Sequence, residues 1–246
     1  MTGLDIGFQI ITENTAKSLD EKVRIMESVA PSWNFVVIFS AILGLALIKH
    51  FAPKRLKFVM SMLYQSSDTE KMTREWNPLT SISGFIIAAS HIALVSLLIQ
   101  KSIMIYNGNS ILYGGCDFYM ETCVFTSAYI LVQYLFVNIY GWLFNTQVAS
   151  QHQAITHLSM ATTLNPVLST LLLVMAFYPM KVFAITGLVI IIIFTGIRIA
   201  KTFIEFQFFI KGETLNIFLY LCTLEIIPFS VGLTMVFRMI ATDSVL

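Results

Sequence analysis

Charged residues are scarce in this chain: they make up 12% of its 246 residues, whereas hydrophobic residues make up 57%. A soluble domain usually carries about a quarter charged residues. A surface with so little charge suits lipid rather than water, so we predict an all-α polytopic integral membrane helix bundle with membrane lipid around it. The formal net charge of +1 gives no basis for a nucleic-acid partner.

Motifs for catalysis and for cofactors are missing too. The sequence has no phosphate loop, dinucleotide fingerprint, nucleophile elbow or HExxH. His152 and His157 are five residues apart, with no acid or cysteine beside them, which is not typical of a metal site. The first residues lack the basic region of a cleaved signal. We therefore predict no catalytic residue, no metal and no cofactor, and a chain that is not an enzyme.

Long hydrophobic segments divide the chain into spans, each judged against the roughly 20 residues that cross a bilayer. The fourth and fifth spans are separated at Tyr178–Lys181, because a proline beside a lysine is typical of a tight turn. The fourth span is short, so five or seven crossings are alternatives to six. An external amphipathic segment (1–32) precedes the spans, and an external tail (241–246) follows them. The six predicted spans cover residues 33–51, 79–105, 125–145, 164–178, 182–200 and 215–240.

Basic residues set the predicted orientation, because Lys and Arg are enriched in cytoplasmic loops. One side has more of them, which places both termini outside. In residues 53–65 the apolar side chains recur at helical spacing. This segment either lies on an anionic leaflet or caps the bundle. Residues 201–211 are predicted to continue the fifth span as one helix. The predicted cytoplasmic bases are Lys49, Lys54, Arg55, Lys57, Lys71, Arg74, Arg198, Lys201 and Lys211.

One acid, Glu225, interrupts the apolar run LYLCTLEIIP at 219–228. It lies about ten residues into the sixth span, or roughly 15 Å deep at 1.5 Å per residue. An acid at that depth must face protein or water. Pro228, which breaks the helix, leaves the carbonyl of Leu224 without a helix partner. Gly232 shares the face of Glu225 by helical spacing.

His91 and Gln133 reach a similar depth, so we predict a buried polar cluster of Glu225, His91 and Gln133. Three roles stay open for Glu225. It is a structural lock that fixes the register of the helices, a proton-handling group, or a contact for a partner helix.

The predicted external loop before the third span contains Cys116 and Cys123. In an oxidising compartment they form a disulfide, and the alternative is two free thiols. The aromatic residues of this loop also suit docking on a membrane surface. These are Tyr106, Tyr113, Phe118 and Tyr119.

The run LYLCTLEIIP and the preceding basic connector with Arg198, Lys201 and Lys211 resemble a family of polytopic proteins from the Bacteroidota, domain of unknown function 4271. Its last membrane segment is similar to LYLCALEILP. A first span followed by a basic stretch, Pro53 to Arg55 here, is also similar. The resemblance implies a multi-pass protein of the inner (cytoplasmic) membrane of a Gram-negative bacterium, and it implies no activity.

Three functions compete on these grounds. The first is a non-enzymatic inner-membrane subunit or scaffold of a larger envelope complex, concerned with protein export or envelope assembly, whose partners are other membrane proteins. The second is a small proton-coupled transporter or channel that uses Glu225 and His91. The third is a membrane-embedded enzyme that modifies a lipid.

Overall fold

The computed structural model describes residues 32–61, 81–107, 114–143, 147–209, 230–232 and 234, and nearly all of these are helical. No strand occurs within these ranges, and the predicted all-α class is confirmed for them. Residues 230–232 are helical as well. The helices with defined bounds are α1 (Ser32–Phe51), α2 (Pro53–Ser61), α3 (Ile82–Asn107), α4 (Cys116–Leu143), α5 (Gln147–Phe177) and α6 (Lys181–Phe209).

Five helices of the described part are long and apolar enough to cross a membrane. They overlap the first five predicted spans. Of the sixth predicted span, 215–240, only residues 230–232 and 234 are described. Residues 1–31 and the tail 241–246 lie outside the described residues. The five are Ser32–Phe51, Ile82–Tyr106, Cys116–Ile139, Gln151–Phe177 and Lys181–Ile204.

Helix α5 is the centre of the bundle, because it contacts all five other helices. In its second half, Leu164, Leu168, Leu172 and Met175 pack into the main apolar core. Helices α1 and α3 supply most of the facing side chains. These include Ile38 and Ala41 from α1 and Leu94, Leu97 and Leu98 from α3.

The first half of α5 corrects the sequence prediction, which placed a connector before a short span at 164–178. The structure has one continuous helix from Gln147 to Phe177. Its polar side chains Gln153, Thr156 and Ser159 are almost completely buried. The prediction treated this polar run as it would be treated in a soluble protein, where such a run is typical of a loop exposed to water. In lipid, the apolar surface faces outward, and polar groups are placed between helices where they find partners.

Helix α2 is packed on the bundle, which favours the cap over the helix lying on a leaflet. Leu56 contacts an apolar cluster of α1, α3 and α5, and Val59 is 1% exposed. Ser159 Oγ donates to the Val59 carbonyl at 2.5 Å. The predicted cytoplasmic bases of this helix, Lys54, Arg55 and Lys57, point outward and are exposed.

Helix α6 runs from Lys181 to Phe209 without a break, so residues 201–209 continue the fifth span as predicted. Residues 178–180 separate it from α5, at the predicted turn. At Gly187, α6 closely approaches the bundle. A Cβ there would lie 2.7 Å from Leu98 Cδ1 and 2.8 Å from Leu171 Cδ2.

Of the two states predicted for the cysteines, the structure has the free thiols and not the loop disulfide, because α4 begins at Cys116 and includes Cys123. Seven residues of helix separate the two Cα atoms by about 10 Å, whereas a disulfide requires about 4.4–6.8 Å. Both cysteines are free thiols.

Tyr119 is also not available for docking. It is 8% exposed, and its ring packs at 4.9 Å from that of Trp33. Tyr106 packs against the same core, so these two aromatics of the predicted loop hold helices together. Tyr113 lies outside the described residues.

Candidate functional site

A hydrogen bond inside the bundle joins α3 to α5. His91 Nδ1 lies 2.9 Å from Asn165 Oδ1, and Asn165 Nδ2 donates to the Ile87 carbonyl at 3.4 Å. Asn165 is fully buried. Because an amide oxygen only accepts, this arrangement requires the His91 proton to be on Nδ1. One amide therefore ties a side chain and a backbone carbonyl of the neighbouring helix.

Asn165 precedes Pro166, a proline inside α5. Proline has no N–H, so the carbonyl of Thr162 loses its usual helix partner and the backbone is locally polar. Hydroxyls surround this point: Ser169 Oγ donates to the Asn165 carbonyl at 2.8 Å, and Thr170 Oγ1 donates to the Pro166 carbonyl at 2.9 Å. The sequence therefore builds a polar node beside an apolar core.

A second bond joins α5 to α6. Arg198 Nη1 lies 3.3 Å from His157 Nδ1. A guanidinium group only donates hydrogen bonds, so His157 must accept from Arg198 at Nδ1. His157 is therefore neutral, with its proton on Nε2. Arg198 and His157 also interact electrostatically with His91. Two inter-helix contacts thus form one polar seam along α5, defined by His91, Asn165, His157 and Arg198.

Gln133, the third member of the predicted cluster, has a different partner. It is 6% exposed, and its Nε2 donates to Tyr129 Oη on the same helix at 3.0 Å. The hydrogen bonds of the described residues do not connect it to His91. Glu225 and Pro228 lie outside the described residues. Gly232, which the sequence places on the Glu225 face, is close to α4: a Cβ there would lie 3.9 Å from Tyr129 Cε2.

The predicted cytoplasmic bases fall into two environments. Lys49, Lys54, Arg55 and Lys57 are exposed on α1 and α2, whereas Arg198 and Lys201 are partly buried on α6. Lys71, Arg74 and Lys211 lie outside the described residues.

Another set of buried polar residues lies near the junction of α3 and α4, and the sequence did not predict it. Gln100 Nε2 donates to the Gly115 carbonyl at 3.0 Å, and Lys101 is 4% exposed. Ser102 and, near the start of α1, Asn34 are buried with side-chain atoms that have no hydrogen-bond partner.

Asn165 is the residue of the seam that sequence reasoning missed, and a signal for it exists. A polar residue close to a proline within a predicted span is the pattern that singles out Glu225 and Pro228, and Asn165, directly before Pro166, is a similar case. Among the described residues, no group of three or more His, Cys, Asp or Glu is placed to hold a metal ion.

Five helices able to cross a bilayer, an interior that contains buried polar side chains and an apolar exterior are the features of a polytopic α-helical membrane protein. The chain belongs to the family described as Domain of unknown function (DUF4271), whose family model matches residues 34–236. No curated protein and no solved structure matches the chain.

Proposed function

We propose that this protein is a non-enzymatic subunit or scaffold of a larger envelope complex in the inner membrane of a Bacteroidota bacterium. The observation that carries the proposal is the polar seam, in which His91 of α3 bonds to Asn165 of α5 and Arg198 of α6 bonds to His157 of α5. Groups that satisfy one another fix the register of helices, as in a structural lock.

The outer surface of α4 supports a protein partner. Its exposed surface carries four aromatic side chains, whereas the large hydrophobic side chains described as exposed on α6 are all Val or Ile. Lipid tails do not distinguish these two faces, but aromatic residues are enriched where proteins meet. The exposed aromatic residues of α4 are Phe125, Tyr134, Phe136 and Trp142. We place the partner on this face.

The inner-membrane location is supported by the excess of Lys and Arg on one side, which orients both termini outward, and by the family resemblance at 219–228.

The test is extraction from native membranes in a mild detergent, followed by identification of the proteins that co-purify. Recovery of a defined set of envelope proteins is expected, and recovery as a lone monomer would refute the subunit. Ala128→Trp on the exposed face of α4 adds bulk that lipid accommodates but a partner does not. It should lower partner recovery, while Ala200→Trp on the exposed face of α6 should not.

A proton-coupled transporter or channel is the second candidate, and His91 favours it. The ring lies about 18 Å from the predicted cytoplasmic end of its span and interacts with a second histidine and an arginine. Proteoliposomes with a pH-sensitive dye inside test it. Acidification under a proton gradient, abolished in Glu225→Gln, would favour transport over the scaffold.

A further inference from the structure

Helix α1 fixes the level of α2 relative to the bilayer. It covers 20 residues, Ser32–Phe51, or about 30 Å, which is the thickness of the hydrocarbon core. One stripe of its apolar side chains is open to lipid and ends at Phe51, which is 78% exposed. Only Ala52 separates α1 from α2, so α2 begins where the headgroups begin. The stripe consists of Phe39, Leu43, Leu47 and Phe51.

Helix α2 lies beside α5 at this level. The Val59 carbonyl accepts a hydrogen bond from Ser159 of α5. Ser159 is 18 residues before the end of α5 at Phe177, or about 27 Å along the axis. This contact therefore lies near the same boundary of the hydrocarbon core, and α5 continues past it as far as Gln147. The side of α2 that faces away from α5 is consequently turned toward the surrounding headgroups.

The apolar and the charged sides of α2 have different neighbours. Leu56 packs on an apolar cluster of α1, α3 and α5, and Val59 is buried. At 3.6 residues per turn, Lys54 and Lys57 lie about 140° and 160° around the helix from Val59, and both are exposed. The bundle thus occupies the apolar side of α2, and two ammonium groups point away from the bundle.

The charge on this side has one sign. Lys49, near the end of α1, is exposed as well, and residues 49–61 include no Asp or Glu. The carboxylates whose side chains are described, Asp117 and Glu121, lie in the first turns of α4, which begins beside Gln100 near the other end of α3. A surface of this kind is complementary to an anionic one.

We propose that Lys49, Lys54 and Lys57 bind the phosphates of anionic phospholipids in the leaflet that the sequence predicts to be cytoplasmic. Anionic lipids attract basic segments that directly follow a membrane span. Lysine suits this role because it is a point charge on a flexible stem, which follows a mobile headgroup without a fixed geometry. The surface is distinct from the aromatic residues of α4, so it does not depend on the subunit proposed above.

Lipid retention by the purified full-length chain tests the surface. Native mass spectrometry compares phosphatidylglycerol with phosphatidylcholine, added in equal amounts in a neutral detergent. Wild type should prefer phosphatidylglycerol. Lys54→Gln and Lys57→Gln should each reduce this preference about threefold, and the double variant about tenfold, because each removes one exposed ion pair. Lys54→Arg keeps the charge and should behave as wild type.

The matched control is Lys181→Gln, which removes the same charge at the start of α6, 20 residues before Lys201 and hence at the opposite boundary of the bilayer. Its effect should be smaller than that of Lys54→Gln. Equal retention of the two lipids by wild type would overturn the proposal, as would an unchanged preference in the double variant. If the double variant does not accumulate, Lys49→Gln and Lys57→Gln decide. Unchanged lipid preference with loss of a co-purifying protein would instead assign the surface to an acidic protein.

Discussion

Helices α5 and α6 are neighbours that differ in composition and in burial. The span of α5 has a mean hydropathy of 1.6, and 56% of it is buried, whereas the span of α6 has a mean hydropathy of 2.5, and 11% is buried. The more hydrophobic helix is the more exposed one. In water this order would be reversed. Here the lipid accepts the Val and Ile side chains of α6, and the protein interior accepts the polar groups of α5.

This difference shows which interactions determine how the helices pair. Apolar side chains gain little by leaving lipid for the protein interior, since both are apolar. Close packing and hydrogen bonds must therefore select the partners of each helix. Among the described residues, α5 carries many such contacts, and those of α6 include the close approach at Gly187 and the bond of Arg198. The following predictions test whether the two helices differ as strongly in energy.

The largest effect is expected at Gly187, where α6 approaches α3 and α5. In Gly187→Leu the new side chain overlaps Leu98 and Leu171, and overpacking should lower the free energy of unfolding by about 3 kcal/mol. Titration with a denaturing detergent, followed by tryptophan fluorescence, measures it. Gly196→Leu is the comparison, because nothing lies within 4 Å of a Cβ there. Equal effects at the two glycines would show that this contact does not hold α6.

Removal of a core side chain should cost less. Leu168 on α5 is fully buried, and Leu168→Ala should destabilise the protein by about 2 kcal/mol. This is the low end of values for soluble proteins, because the cavity term remains while lipid removes most of the transfer term. Ile193→Ala on α6, where the side chain is 53% exposed, should change the free energy of unfolding by less than about 0.5 kcal/mol. A large loss at Ile193 would indicate that another protein covers α6.

The hydrogen bond between Asn165 and His91 should contribute as much to the free energy of unfolding as the Leu168 side chain does, or slightly less. Asn165→Leu leaves the Nδ1–H of His91 buried without an acceptor, at a cost of about 1–2 kcal/mol in the same detergent titration. Asn138→Leu on α4 removes an exposed amide that bonds only within its own helix, to the Tyr134 carbonyl, and should be neutral. The seam is not a lock if both variants unfold like wild type.

The smallest effect concerns Glu225, outside the described residues. As a lock, Glu225→Gln should accumulate normally because the amide keeps hydrogen bonds, while Glu225→Leu should reduce accumulation severalfold, as a loss of about 1 kcal/mol does. Quantitative immunoblotting of membranes compares them. Normal accumulation of Glu225→Gln together with lost function would favour proton handling.

The sequence predicts the fold well where apolar length decides it. The presence of five spans, the turn at 178–180 and the extension of α6 to Phe209 follow from hydrophobic runs and from Pro179, although the start of the fourth span does not. These features depend on one helix at a time, so no knowledge of neighbours is needed.

The site is less predictable, because it depends on which helices meet. His91 and Arg198 were singled out as polar groups in or near the membrane, but their partners Asn165 and His157 were not paired with them. His157 was assigned to a connector, since its surroundings are polar. Depth alone grouped His91 with Gln133, yet depth does not determine the face of a helix, and Gln133 bonds to Tyr129.

The bond between His91 and Asn165 also sets an order of events during synthesis. The two residues are 74 positions apart, and ribosomes add about 5–20 residues per second. For about 4–15 s after His91 is made, its acceptor does not exist. During that interval α3 must shelter an imidazole by other means, so an insertion chaperone or a quality-control protease has its opportunity then. Crosslinking from position 91 in stalled nascent chains should capture such a protein before residue 165 emerges, and lose it afterwards.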